Sequence, residues 1–148
     1  MLKYFALIIT VLLSFNAHAF TCFLTMIKDN CWLKYNLTVN IIDAANGKVI
    51  GTVIVPTDTP WARQKFTCQA QQKLMFQAQF NPVFWKNDEG KTYNATNYWT
   101  LPNEVKKDET AWNLNVCYPK QFAEVPFPPE GTDNCQCDTS NIPPVPPQ

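Results

Sequence analysis

Leu33-Lys34-Tyr35-Asn36-Leu37-Thr38-Val39-Asn40-Ile41, continued by Ile42-Asp43-Ala44-Ala45-Asn46-Gly47 and by Lys48-Val49-Ile50-Gly51-Thr52-Val53-Ile54-Val55, decides the fold class. From Leu33 to Ile41 the large apolar side chains alternate with Lys34, Asn36, Thr38 and Asn40, a period of two that places them on one face of a strand. Lys48 to Val55 is a second run rich in Val and Ile, and Ala44 to Gly47 between them reads as a hairpin turn. A two-residue Asn46-Gly47 turn sets Ile50, Thr52 and Ile54 beside the apolar face, whereas a three-residue loop with left-handed Gly47 sets Val49, Val53 and Val55 there. The second arrangement brings more β-branched bulk to the core and is the one expected.

The same period recurs outward from this hairpin. Leu74, Phe76, Ala78 and Phe80 alternate with Lys73, Met75, Gln77 and Gln79, and Pro82 ends that strand because proline cannot donate to a ladder. Phe66 and Cys68 mark the strand before it. Asp88 to Lys91 makes a turn, followed by a short run around Tyr98, Trp99 and Leu101. Trp112, Leu114, Val116 and Tyr118 alternate once more, with Cys117 facing the other way. No mature segment carries a sustained helical period; Asn103 to Thr110 offers at most a single turn, with Asn103 as its cap. Short strands separated by turn signals predict an all-β, antiparallel β-sandwich, with a barrel as the alternative.

Both ends have a different character. Met1 to Ala19 combines Lys3, an apolar stretch from Tyr4 to Phe15 and the triplet Ala17-His18-Ala19. That is the layout of a cleavable secretory signal, too short for a bilayer anchor. Residues 20–118 are expected to form the sandwich domain and 119–148 a Pro-rich irregular extension, since eight prolines between Pro119 and Pro147 preclude regular structure.

Cys22, Cys31, Cys68, Cys117, Cys135 and Cys137 all follow the signal, and an even count in an exported chain reads as three disulfides. Cys68 and Cys117 are the best separated candidates for a bridge between sheets. Cys135 and Cys137 are too close in sequence to pair comfortably and are expected to reach back to Cys22 or Cys31. The expected location is the periplasm or the extracellular space. Asn36-Leu37-Thr38 and Asn94-Ala95-Thr96 match the N-glycosylation pattern, which matters only in a host that uses it.

The order Cys68, Trp85, Cys117 resembles an immunoglobulin-type sandwich. That family has a tyrosine two residues before its second cysteine, where this chain has Asn115. The resemblance implies a sandwich over about half of the mature chain and nothing about activity.

The chemistry open to the chain is narrow. Its one histidine, His18, belongs to the signal, so the mature domain lacks imidazole for nucleophile activation, acid–base work or zinc ligation. No catalytic residue, metal site or cofactor is expected. The carboxylate pairs Asp88-Glu89 and Asp108-Glu109 read as solvated turn residues. The chain carries 12 basic and 12 acidic side chains without a basic cluster, which excludes nucleic acid as a partner. Five tryptophans are many for this length, and Trp61, Trp85, Tyr93, Tyr98 and Trp99 are the aromatics expected to share a binding edge. The leading expectation is a non-enzymatic exported binding or assembly module for another envelope or extracellular protein, or for a glycan. The alternatives are a thiol-disulfide redox protein using Cys135 and Cys137, and a carbohydrate-binding domain using exposed tryptophans.

Overall fold

In the computed structural model, which describes residues 18–148, the strands are β1 (Phe20–Lys28), β2 (Asn36–Asp43), β3 (Val49–Val55), β4 (Trp61–Cys68), β5 (Lys73–Asn81), β6 (Tyr93–Asn94), β7 (Trp99–Thr100) and β8 (Trp112–Tyr118). They form two packed sheets: a smaller one ordered β4-β1-β8, and a larger one ordered β3-β2-β5, with β6 and β7 both along the far side of β5. The chain is therefore an all-β sandwich. The secretory signal lies almost wholly outside the described residues, of which only His18 and Ala19 belong to it.

The alternating strands behave as their periodicity dictates. Leu37, Val39 and Ile41 of β2 and Leu74, Phe76, Ala78 and Phe80 of β5 are buried, and the intervening residues point away from the core. Each large side chain of this kind contributes about 1.5–3 kcal/mol on burial. Leu33 to Tyr35 departs from expectation: this stretch is a turn, and β2 begins at Asn36. A 3-10 turn at Asn30–Trp32 precedes it, capped by the Asp29 carboxylate, which accepts from the Cys31 N–H at 2.9 Å. That turn drives Trp32 into the centre of the sandwich, where its ring meets Tyr35, Phe80, Phe84 and Tyr118 at centroid distances of 4.8–5.7 Å.

The β2–β3 hairpin combines two devices. Opposite Leu37, Val39 and Ile41 stand Val55, Val53 and Gly51, the register that a three-residue loop dictates. The loop itself is Ala44 to Gly47, because Asp43 N–H donates to the Lys48 carbonyl at 2.9 Å; Gly47 is left-handed at φ +71°. A bulge restores the register, since Ile42 pairs with Val49 and leaves Ile50 as the extra residue. Val53 and Val55 accordingly face the core, whereas the expected inward Val49 is 54% exposed.

β1 is absent from the periodicity reading and yet is the middle strand of its sheet. It is buried on both sides: Leu24 and Met26 belong to the main core, whereas Thr25 and Ile27 are equally buried on the opposite face. A strand covered twice has no polar half to reveal it. It also supplies the one departure from an antiparallel fold, running parallel to β8 from Cys22↔Trp112 to Lys28↔Tyr118. A parallel pair needs a long crossover, and here the crossover is the whole of the intervening domain.

All six cysteines are bridged, as Cys22–Cys68, Cys31–Cys135 and Cys117–Cys137: Cys135 reaches back to Cys31 as expected, whereas Cys137 takes Cys117 and the expected Cys68–Cys117 bridge is replaced. Cys68 and Cys117 cannot pair because β1 separates their strands. Two strand spacings amount to about 10 Å, beyond the roughly 7 Å that a bridge spans. Cys22 joins Cys68 between neighbouring strands, and Cys137 takes Cys117, which faces outward as the alternation of β8 requires. The residues behind the immunoglobulin resemblance thus play other parts, and Trp85 is 60% exposed.

Asn103 to Thr110 forms bends and a turn with Asp108 left-handed at φ 70°, and no helix. Beyond Tyr118 the Pro-rich segment makes one β-bridge, Ala95↔Phe122, and contains no strand. It returns over the molecule: Asn30 N–H donates to the Gln136 carbonyl, Arg63 Nη2 to the Pro143 carbonyl at 2.8 Å, and Gln148 N–H to Thr110 Oγ1 at 3.0 Å. Among the described residues, no helix is long and apolar enough to cross a membrane.

Candidate functional site

The five aromatics singled out in the sequence lie apart. Trp61 opens β4 in the smaller sheet, with the Arg63 guanidinium 5.4 Å from its ring centroid. Tyr93 is buried and stacks on Phe80 at 5.7 Å. Tyr98 is exposed, with Lys73 Nζ 4.2 Å from its ring centroid, and Trp99 packs on Phe76 at 5.9 Å near the first residues of β5. Trp85 follows the other end of β5 and touches Phe84. A strand of that length holds its ends roughly 25 Å apart, so no single edge collects the five.

A cleft of about 670 Å³ is lined by Asp29, Lys120, Gln121, Gln136 and cysteines of the two bridges that tie down the Pro-rich segment. Burial pushes the Asp29 carboxyl upward, and the N–H groups of Cys31 and Trp32 oppose this. The Cys31 and Cys135 sulfurs lie close to that carboxyl, but they are bonded to each other and offer no thiolate to a metal. Cys135 and Cys137 likewise belong to separate bridges and are not each other's partner.

Nearby, Lys28 is 2% exposed and donates through Nζ to the carbonyls of Tyr35 at 2.7 Å and Pro56 at 2.8 Å. Burial lowers its pKa to about 8, against the raising effect of Asp58. The ammonium pins the end of β1 to the turn before β2 and to the end of β3. It is spent on structure.

The outer face of the larger sheet is of a different kind. Thr52, Asn40, Gln77 and Asn94 are consecutive cross-strand neighbours from β3 to β6. Thr52 Oγ1 donates to Asn40 Oδ1 at 2.9 Å and Gln77 Nε2 to Asn94 Oδ1 at 3.3 Å. The next outward-facing row is Ile54, Thr38 and Gln79, and the one beyond it Asn36 and Asn81. No Asp, Glu, Lys or Arg occurs in Asn36 to Ile42, Val49 to Val55 or Leu74 to Asn81.

At one end of this face lies a groove of about 350 Å³. Its floor is Asn36, Thr38, Gln79 and Asn81, and its wall is the loop after β5, with Glu89 and Gly90. The 3-10 turn Lys86–Asp88 shapes that loop, and the Asp88 N–H closes on the Trp85 carbonyl at 2.9 Å. Three amides and a hydroxyl give the groove donors and acceptors in equal measure, and Glu89 adds an acceptor. The arrangement can hold a hydroxyl-rich molecule.

None of these groove residues is a binding candidate in the sequence: Asn36 and Thr38 enter only as polar strand residues and through the glycosylation pattern, and Glu89 only as a solvated turn carboxylate. The signal was nonetheless present, since the polar half of each alternation is made of amides and hydroxyls from Asn36 to Asn40 and from Gln77 to Gln79. Both glycosylation-pattern asparagines, Asn36 and Asn94, also belong to this face. Compared with known proteins, the chain matches no family model, no curated protein and no solved structure.

Proposed function

We propose that this chain is an exported, non-enzymatic binding module whose disulfide-held sandwich presents a rigid surface to a partner outside the cytoplasm. The observation that carries the binding half is the outer face of the larger sheet, whose strands carry charge only at one end, at Asp43 and Lys73. Surfaces of soluble domains commonly hold about 25–35% charged residues, so a multi-stranded face charged only at one end is unusual for a purely solvated surface. Export is supported by the signal-like first nineteen residues and by six cysteines consumed in bridges, which fit an oxidising compartment.

Two measurements test the halves separately. Thiol alkylation before lysis, followed by cell fractionation of the tagged full chain, is expected to give a shortened, unalkylated species in the exported fraction. Full-length chain in the cytosol with reactive thiols overturns export. Capture from the host's envelope fraction is expected to retain a partner that Thr38→Lys loses; retention of nothing by either protein overturns binding.

A further inference from the structure

We infer that the groove on the larger sheet is a subsite for a neutral glycan chain, which runs from it across the strands over the rows of amides and hydroxyls. This deepens the binding-module reading and rests on it. The argument begins with charge. A charged ligand needs a counter-charge, and the strands beneath this face supply none between Asn36 and Ile42 or between Leu74 and Asn81. Phosphate-bearing polymers and acidic protein surfaces therefore gain nothing from these strands, and the groove's single charge, Glu89, stands on the wall loop.

The second step is the kind of polar group. Protein interfaces concentrate aromatic residues, Met and Arg at their centres, whereas this face concentrates Asn, Gln and Thr. An amide presents one acceptor and a two-proton donor side by side. Adjacent sugar hydroxyls each donate and accept, so an amide meets a hydroxyl pair with both of its ends. Asn36, Gln79 and Asn81 place three such groups around one groove, with Thr38 between them and the Glu89 carboxylate able to accept from a hydroxyl.

The third step is continuity. From the groove, the rows Ile54-Thr38-Gln79 and Thr52-Asn40-Gln77-Asn94 follow at the strand repeat. A linear ligand thus finds further polar rungs beyond the first. Trp85 is 60% exposed on the loop that walls the groove, an apolar ring available to the flat side of a sugar.

The test uses the full mature chain with amide side-chain resonances as the readout. Malto-, cello-, manno- and chito-hexaose are titrated against it, with oligogalacturonate as the charged control. At least one neutral hexaose is expected to shift the side-chain amides of Asn36, Gln79 and Asn81, and oligogalacturonate to leave them unmoved. Thr38→Lys and Gln79→Ala are expected to weaken that binding at least tenfold with an unchanged near-ultraviolet spectrum; equal binding by either folded variant overturns the inference. So do shifts confined to the disulfide-lined cleft, or equal binding of the charged oligomer. Dimerisation of the wild type that Thr38→Lys abolishes, with no hexaose bound, assigns the face to a second copy and also overturns it. Failure of every hexaose while an envelope partner is still lost on Thr38→Lys removes the glycan and leaves the binding module; failure of both removes the two together.

Discussion

The two sheets treat their outer faces in opposite ways. On the smaller sheet, Thr25 and Ile27 point away from the main core and are as buried as the core itself. Arg63 Nε donates to Thr25 Oγ1 at 2.7 Å and Nη2 of the same side chain to the Pro143 carbonyl, while Cys137 is bonded to Cys117 beside Ile27. On the larger sheet Thr38 and Asn40 are half-buried, and Gln79 and Asn94 are exposed. Around Thr25 and Ile27 the one face is a second interior, closed by the Pro-rich segment, although Lys65, Thr67, Asn113 and Asn115 on it stay exposed. The other is polar, charged only at its Lys73 end, and open. The contrast shows that the returning segment is part of the packing of the smaller sheet.

Breaking the closure should cost most. Cys31 and Cys135 are 104 residues apart in sequence, and the chain-entropy model assigns a loop of that size about 4.7 kcal/mol. Cys31→Ala with Cys135→Ala is expected to lower stability by about 4–5 kcal/mol on that model, measured by urea denaturation, and to expose the segment after Gln136 to protease. Unchanged protease resistance would mean that the remaining bridge and Arg63 hold the segment unaided.

The same substitution made on both faces sharpens the comparison. Thr25→Lys buries a cation beside Arg63 and is expected to cost about 3 kcal/mol or more. Thr38→Lys on the open face should stay within about 0.5 kcal/mol. Equal costs in denaturation experiments would abolish the distinction between the faces.

A smaller effect comes from pH. Lys28 gives up its proton near 8 in the folded chain and near its ordinary 10.5 in the unfolded one. Between those values the unfolded chain binds more protons, so stability rises as pH increases from about 8 towards 10. Burial, with a hydrogen bond to Glu130, raises the Tyr35 phenol to about 12, and burial raises Tyr118 as well. Unfolded tyrosines ionise first, and stability falls above about pH 10. The urea midpoint is expected to pass through a maximum near that pH. Lys28→Met should remove the rise and keep the fall.

Half of the architecture was readable from alternation alone. β2, β5 and β8 each bury one side and announce it, as Leu37, Phe76 and Val116 do. β1 is silent because both of its sides are covered, and the missing strand carried Cys22 with it, so the pairing of Cys68 lost its true partner. The outward direction of Cys117 was legible and already opposed a bridge through the core. At the candidate site, Trp85 and Tyr98 are exposed, whereas Tyr93 is buried, its ring captured by Phe80. The amide rows could not be read as a surface, because they exist only once the register sets Asn40 beside both Thr52 and Gln77.

The parallel pairing of β1 with β8 has a consequence for the birth of the molecule. The first strand of the sandwich waits for the last before its sheet has a third member, and the sulfurs of Cys31 and Cys117 wait for residues made later still. A growing chain therefore completes its smaller sheet and two of its three bridges only when nearly all of it has been delivered. A polypeptide that must be threaded through a narrow channel before it may harden gains from that delay.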